Sequence, residues 1–218
     1  MTITRGWITA ALLAACAGAP PAAKEPAAAP AAPAAPAASD PHAGHDHAAA
    51  EHHYNDDSLV GVIDQAAPPW QVSQWFNSAP LSLEQLRGKV VFVRWFTSPD
   101  CPFCSGTAPT LRALDERYGD KGLVVVGMYH HKERTPLDPQ QVDGWIKHYG
   151  YRFPVAIDKD WTTLRKWWLD GHDRAYTSVS FLIDKTGVIR RVHLGGLIAP
   201  KGEDIAAIDA DVERLLAQ

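Results

Sequence analysis

The chain has 218 residues, enough for one folded domain and an appendage, and its formal net charge at pH 7 is −4. It has 21 basic and 25 acidic residues and no long basic run, so its composition excludes a surface built to bind nucleic acid. Hydrophobic residues make up 46% of the chain. An alanine-rich first quarter inflates that fraction, so the core must come from the later residues.

The first residues have the features of an export signal. Residues 1–15 carry one positive charge, Arg5, and an apolar run too short to span a bilayer. The run Leu13-Ala14-Ala15-Cys16 resembles a bacterial lipobox, whose cysteine is lipidated and becomes the mature N-terminus. We therefore expect an exported, lipid-anchored protein on the periplasmic side of a bacterial membrane. Ordinary cleavage with loss of Cys16 is the alternative. The outer membrane is favoured because Ala17 is not acidic.

Residues 16–58 are predicted to form a disordered tether. Eighteen of the twenty residues 19–38 are alanine or proline, a composition that favours an extended chain over a folded unit. The tether ends in a His-rich segment, residues 42–53, which contains His42, His45, His47, His52 and His53. Neutral imidazoles bind copper and zinc, so this segment is a candidate metal collector. A solvated spacer is the alternative.

The remaining residues, 59–218, are predicted to form one α/β domain. The first elements are a short helix at residues 81–89, a buried strand at residues 90–96 and a helix that begins at Cys101-Pro102. A strand at residues 123–128 follows, and Asp138 is placed to cap a helix that ends by Gly150, with Gln141 completing a capping box. The later predicted elements are a strand at residues 155–157, a Trp-rich helix at 160–169, a hairpin of strands 179–183 and 188–192, and a helix at 203–216.

Two thiols lie at the predicted start of a helix, in the run Cys101-Pro102-Phe103-Cys104. The free N–H groups and the dipole at a helix N-terminus stabilise a thiolate and lower its pKa. We expect Cys101 to attack a partner's disulfide and Cys104 to resolve the mixed disulfide. A structural zinc site would need further ligands, and no cysteine other than Cys16 remains to supply them.

With these residues in place, the chain resembles the thioredoxin-like superfamily, and in particular the exported TlpA/ResA-type oxidoreductases of the redoxin (AhpC/TSA-like) group. Besides the dithiol, the resemblance rests on Pro109 and on the run Phe181-Leu182-Ile183-Asp184 with Gly187. It implies a central mixed β-sheet flanked by helices and a thiol-disulfide oxidoreductase, in most cases a reductase, that requires no cofactor. The implied partners are client proteins with disulfides or thiols and a membrane electron donor.

The chain departs from that pattern at two places. Where the resemblance expects a cis-proline opposite the cysteines, this sequence has Ser178, and a cis bond after Thr177 would cost about 3–4 kcal/mol. We therefore expect a trans peptide there unless strong packing holds it cis. Where thioredoxins carry a buried acid beneath the second cysteine, the strand offers Arg94 and Trp95. Proton removal from Cys104 then needs another group.

Several neighbours are candidates for further roles at the site. Asp100 precedes Cys101 and is expected to raise the pKa of its thiol, with a solvated loop acid as the alternative. His130 and His131 follow a strand whose end lies at the same sheet edge as Cys101, so one of them is a candidate base or third metal ligand. The alternative is that both are exposed loop residues. Trp161, Trp167 and Trp168 face a substrate groove, the core or a partner.

Two other functions stay open from the sequence. A copper- or zinc-handling protein would use the His-rich segment and the two thiolates, because soft thiolates select Cu(I). Against it, copper proteins of the Sco type space their cysteines C-x-x-x-C. A thiol peroxidase is suggested by Ser98-Pro99-Asp100-Cys101, but that motif's expected proline is Arg94 here.

Overall fold

The computed structural model describes residue 59, residues 61–174 and residues 176–218. The described chain folds around one six-stranded mixed sheet in the order β1-β4-β3-β2-β5-β6. The strands are β1 Gln74–Phe76, β2 Val90–Phe96, β3 Leu123–Tyr129, β4 Val155–Ile157, β5 Ser180–Ile183 and β6 Ile189–His193. The helices are α1 Pro102–Tyr118, α2 Pro139–Tyr149, α3 Thr162–Leu164, which continues as a π-helical turn over Arg165–Leu169, and α4 Glu203–Leu216. The predicted α/β class with a mixed sheet flanked by helices is confirmed.

The central strands β2, β3 and β4 are parallel, and β5 and β6 add an antiparallel hairpin at one side. Both parallel crossovers step in the same direction along the sheet, and right-handed crossovers then place α1 and α2 on the same face. Every residue of β2 is buried, as expected for a central strand covered on both faces. The sheet therefore separates two apolar clusters.

The first cluster contains Cys104 and packs α1, α2 and α4 against one face of the sheet. The second cluster packs α3 and the segment before β2 against the other side of the strands, and it is rich in tryptophan. Phe92 and Phe96 of β2 belong to the first cluster, whereas Val93 and Trp95 belong to the second. This is the alternation that a strand requires.

Most of the predicted elements are confirmed. Cys101 is the N-cap of α1 with Pro102 in its first turn, and Asp138 caps α2 by accepting a hydrogen bond of 2.9 Å from the N–H of Gln140. Helix α2 ends at Gly150, whose φ of 69° supplies the left-handed C-cap. Strand β4 and helix α4 have the predicted bounds. The predicted boundaries of the signal peptide and tether lie outside the described residues.

Two predictions of secondary structure were wrong. Residues 81–89 form turns instead of a helix: Ser82 and Gln85 exchange the hydrogen bonds of a helix start, but the N–H of Gly88 then donates to the carbonyl of Lys185 beside β5 and leads the chain into β2. The predicted helix at 160–169 starts later, at Thr162, because Trp161 has a left-handed φ of 59°. Strand β1 was not predicted.

Two glycines are expected to respond in opposite ways to replacement by alanine. Gly187, in the β5–β6 turn, has a φ of 79°, and a Cβ there would collide with the guanidinium of Arg87. We expect Gly187→Ala to lower the free energy of unfolding by about 1–2 kcal/mol. Gly144 lies inside α2, where a Cβ would enter open space, so Gly144→Ala should raise the free energy of unfolding by about 0.5–1 kcal/mol. Urea denaturation measures the free energy of unfolding of both variants. Equal changes of the same sign would contradict the backbone conformation assigned to the turn at Gly187.

Candidate active site

The two thiols lie where β2 ends and α1 begins. Cys101 is half-buried and caps the helix, its sulfur accepting a hydrogen bond of 3.3 Å from the N–H of Cys104. The two sulfur atoms are 2.7 Å apart and share a hydrogen bond, and both cysteines are free thiols. A disulfide needs a sulfur–sulfur distance of about 2.05 Å, so the bond can form with a movement of less than about 1 Å. The geometry thus suits reversible formation of a disulfide.

Cys104 is buried, with 1% of its surface exposed. Its sulfur accepts a hydrogen bond of 3.5 Å from the N–H of Thr97 and lies 3.6 Å from the hydroxyl oxygen of the same residue. The hydroxyl oxygen of Ser178 is 4.0 Å from it on the opposite side. Polar atoms therefore surround the inner sulfur, and only Cys101 of the pair is open to a second molecule.

The pair loses its first proton easily and its second with difficulty. The hydrogen bond between the sulfurs is the main cause: it lowers the pKa of Cys104 to about 6 and raises the pKa of Cys101 far above the ordinary thiol range. Because both sulfurs share the same proton, we assign these values to the pair, as its first and second proton losses. At pH 7 the reduced pair therefore carries one negative charge, and the exposed position of Cys101 decides which sulfur meets a client.

A buried arginine, Arg94, lies on β2, the strand that leads to the dithiol. Arg94 is 1% exposed, one guanidinium nitrogen donates to the hydroxyl of Ser180 at 3.1 Å, and another donates to the carbonyl of Gly196 at 2.7 Å. Desolvation lowers its pKa, and the adjacent Cys104 opposes that effect. The sequence placed Arg94 where thioredoxins have an acid. That it lies buried and charged near Cys104 was not foreseen.

The loop before β5 closes the site from the other side. Thr177 is buried and Ser178 is half-buried, and the described residues contain no cis peptide bond, so the expected trans peptide between these two residues is confirmed. The close approach of Ser178 to Cys104 confirms that this serine lies opposite the thiols. Of the remaining predicted neighbours, Pro102 and Asp100 are exposed and Phe103 is half-buried. Asp100 is not among the groups that shift the pKa of either thiol most.

His130 is buried and is therefore not the exposed loop residue that was its alternative. Its side chain is fully buried and lies edge-on to Trp161, with ring centroids 5.3 Å apart, and neither ring nitrogen has a hydrogen-bond partner among the described residues. Burial lowers its pKa well below the usual range, so it is neutral. The backbone N–H of His130 donates to the carbonyl of Phe96 and continues the strand pairing. His131 shares a hydrogen bond of 2.9 Å with the hydroxyl of Tyr129.

The three tryptophans divide between the core and a half-buried position. Trp167 and Trp168 are buried members of the second apolar cluster, so of the roles left open for them they take the one in the core. Trp161 is half-buried, and its indole N–H donates to the carbonyl of His131 at 2.9 Å. The indole of Trp161 therefore holds the loop after β3 against α3.

The described residues contain no group of three or more His, Cys, Asp or Glu side chains that could hold a metal ion. Cys16 and the His-rich segment lie outside the described residues, and their predicted lipidation and metal binding stay predictions. Among the helices of the described part of the chain, none is both long and apolar enough to cross a membrane.

A CxxC dithiol at the start of a helix, on a sheet of this order, defines a thioredoxin-like protein. The sequence profile of the AhpC/TSA family matches residues 63–192, and the chain belongs to that family. Among solved structures it is similar to a thiol-disulfide isomerase from Corynebacterium glutamicum, with a TM-score of 0.57 and 28% identity over 70% of this chain and 97% of the other. These comparisons confirm the resemblance to thioredoxin-like redoxins.

The chain is also similar to two curated relatives. Protein DipZ of Mycobacterium bovis is 29% identical over 127 residues, which are 57% of this chain and 17% of the relative. The thiol-disulfide oxidoreductase ResA of Halalkalibacterium halodurans is 26% identical over 117 residues, 54% of this chain and 60% of the relative. The chain thus spans less than two thirds of either relative's length.

Proposed function

We propose that the protein is a thiol-disulfide oxidoreductase that exchanges disulfides with client proteins through Cys101 and Cys104. The observation that carries this proposal is the pair itself: two free thiols 2.7 Å apart at the start of α1, one accessible and one buried. The names of the relatives, a thiol-disulfide isomerase and a thiol-disulfide oxidoreductase, support the same chemistry.

The reaction uses the pair in two steps. The Cys101 thiolate attacks a client disulfide, one client sulfur leaves as a thiolate, and a mixed disulfide joins the two proteins. Cys104 then attacks the Cys101 sulfur, so that the mixed disulfide breaks, the second client sulfur leaves and the Cys101–Cys104 disulfide forms. Two electrons pass from the protein to the client. Both steps are reversible, and the reverse sequence oxidises a client dithiol.

The setting proposed for this chemistry comes from the sequence. An export signal and lipidation at Cys16 would hold the domain on the periplasmic side of a bacterial membrane, with residues 16–58 as the spacer. In the reducing direction, a membrane electron donor must return two electrons after each cycle. The resemblance to ResA-type proteins favours that direction, whereas the buried positive charge of Arg94 near the pair favours the opposite one.

The experiment equilibrates the full chain in buffers of reduced and oxidised glutathione and traps the free thiols with a reagent that adds mass. We expect a single reversible transition in which two thiols disappear together. Cys16→Ser is the matched control, because it removes the third cysteine and should leave the transition unchanged. If the two thiols do not form a reversible couple, or if the transition depends on Cys16, the proposed function is wrong.

A further inference from the structure

In the part of the chain that the structure describes, Arg94 is a buried charge without a carboxylate beside it. Among the described residues, no carboxylate lies within 4.0 Å of the guanidinium, although the fold pairs several of its other arginines with acids. Its two hydrogen bonds go to neutral acceptors, Ser180 and Gly196, and the Nε atom has no partner among the described residues. A buried, uncompensated charge carries a large desolvation penalty, so a group that becomes negative nearby offsets part of that penalty.

The strand geometry places Arg94 on the same face of the sheet as the cluster that contains Cys104. Alternate residues of β2 share a face, so Arg94 lies with Phe92 and Phe96 on the face that α1 covers, where Cys104 is part of the first apolar cluster. Thr97, three residues after Arg94, contacts the Cys104 sulfur directly. The attraction between Arg94 and Cys104 lowers the pKa of the thiol and raises that of the guanidinium.

Of the other titratable groups near the pair, the charged ones are exposed and of opposite sign, and the buried ones are neutral at neutral pH. Lys132, on the loop after β3, is a second cation that interacts with both cysteines. Tyr149 and Tyr151 approach from the end of α2 and the segment after it, and burial raises the pKa of each phenol far above its usual value, so both are neutral. Asp100, on the loop before α1, is exposed to solvent. Among these groups, the buried charge near the thiols is therefore the positive one of Arg94, whereas Lys132 and Asp100, which are opposite in sign, are both exposed.

We propose that Arg94 is a positioning residue, the fixed counter-charge of the thiolate in the reduced pair, and that it makes the Cys101–Cys104 disulfide an oxidant of client dithiols. The inference rests on the proposed function and assigns its direction. A reduced form that is stabilised makes the corresponding disulfide a stronger oxidant. In one exchange the client's two thiols form a disulfide and the Cys101–Cys104 bond breaks. One of the two client protons stays on the pair, and the other goes to solvent.

The test compares wild type with Arg94→Gln in glutathione buffers over a range of pH. We expect the variant's equilibrium constant for disulfide formation to be about tenfold higher at pH 7.5, which corresponds to a reduction potential about 30 mV more negative. Arg94→Lys, which keeps the charge, should return the constant to within about threefold of wild type. Arg117→Gln, which removes an exposed positive charge at the far end of α1, is the matched control and should leave it unchanged.

The dependence on pH separates an electrostatic role from a merely structural one. The pKa of the reduced pair is lowered, so the stabilising thiolate is present above that pKa and is lost as the pH falls through it. The difference between wild type and Arg94→Gln should therefore disappear at pH 5 and be largest near pH 8. A difference of equal size at both pH values, or no difference at either, would overturn the proposal.

A measurement without any variant guards against the possibility that Arg94→Gln does not fold. The disulfide form of the wild-type chain is mixed with reduced thioredoxin, and the products are separated after acid quenching. We expect oxidised thioredoxin and the reduced chain to predominate. A mixture in which thioredoxin stays reduced and the chain keeps its disulfide would overturn the inference and leave the proposed function intact, whereas a wild-type chain without a reversible couple would refute the proposed function itself.

Discussion

Replacement of Cys101 by serine should abolish thiol-disulfide exchange, with a loss of at least ~10³-fold, of the order seen when other enzymes lose their nucleophile. Cys101 is the accessible sulfur of the pair, whereas Cys104 is 1% exposed and has no path to a client. Cys104→Ser should behave differently, because Cys101 can still attack but nothing resolves the product. That variant should accumulate a mixed disulfide with a client, detectable as a band on a non-reducing gel that disappears with reductant.

The two variants control each other, since both remove one sulfur from the same helix start. Equal activity of the two, or a mixed disulfide that accumulates on Cys104 when Cys101 is replaced, would reverse the assigned roles. The variants should unfold at similar temperatures, because serine retains a hydrogen-bonding atom at each position. A large difference in stability would mean that the activities cannot be compared.

The second large effect concerns folding. Asp158 is fully buried at the end of β4, and its carboxylate accepts three hydrogen bonds: 3.0 Å from the indole of Trp95, 3.0 Å from the N–H of Thr163 and 2.8 Å from the N–H of Leu164. Asp158→Ala leaves three buried donors without an acceptor, at about 1–3 kcal/mol each. We expect the free energy of unfolding to fall by at least about 3 kcal/mol, measured by urea denaturation.

Asp160 supplies the matched control for Asp158. It is exposed and two residues further along, and Asp160→Ala should change the free energy of unfolding by no more than about 0.5 kcal/mol. Asp158→Asn, which keeps one carbonyl oxygen as an acceptor, should fall between the two. A loss in Asp158→Ala no larger than in Asp160→Ala would contradict the hydrogen-bonding role assigned to this carboxylate.

The sequence predicts the elements whose causes are local. Apolar runs mark the central strands, and Pro102 after a cysteine marks the start of α1 and therefore the position of the dithiol. Strand β1 has three residues, and what makes it a strand is antiparallel pairing with β4, about eighty residues later in the chain. At residues 81–89 the Ser82–Gln85 signal is local and genuine, but the distant contact between Gly88 and Lys185 prevents a helix from following it.

The same division applies to the site. The order of the elements along the chain predicts that His130 lies at the sheet edge that carries Cys101. It does not predict the direction of the side chain, which is set by packing on Trp161. The position of Ser178 opposite the thiols was predictable because it is counted back from a strand with a strong pattern. For Arg94 the sequence predicts only that an arginine stands where thioredoxins have a buried acid. The absence of a neighbouring carboxylate among the described residues is a property of the assembled fold.

The sheet also separates the thiols from most of the chain's indoles. Six of the seven tryptophans in the described residues lie in or against the second apolar cluster, and only Trp145 packs against the cluster that contains Cys104. Sulfur quenches indole emission only at close range. The total tryptophan fluorescence of this protein should therefore report unfolding well and the redox state of Cys101 and Cys104 poorly. A redox signal requires that the emission of Trp145 be observed alone.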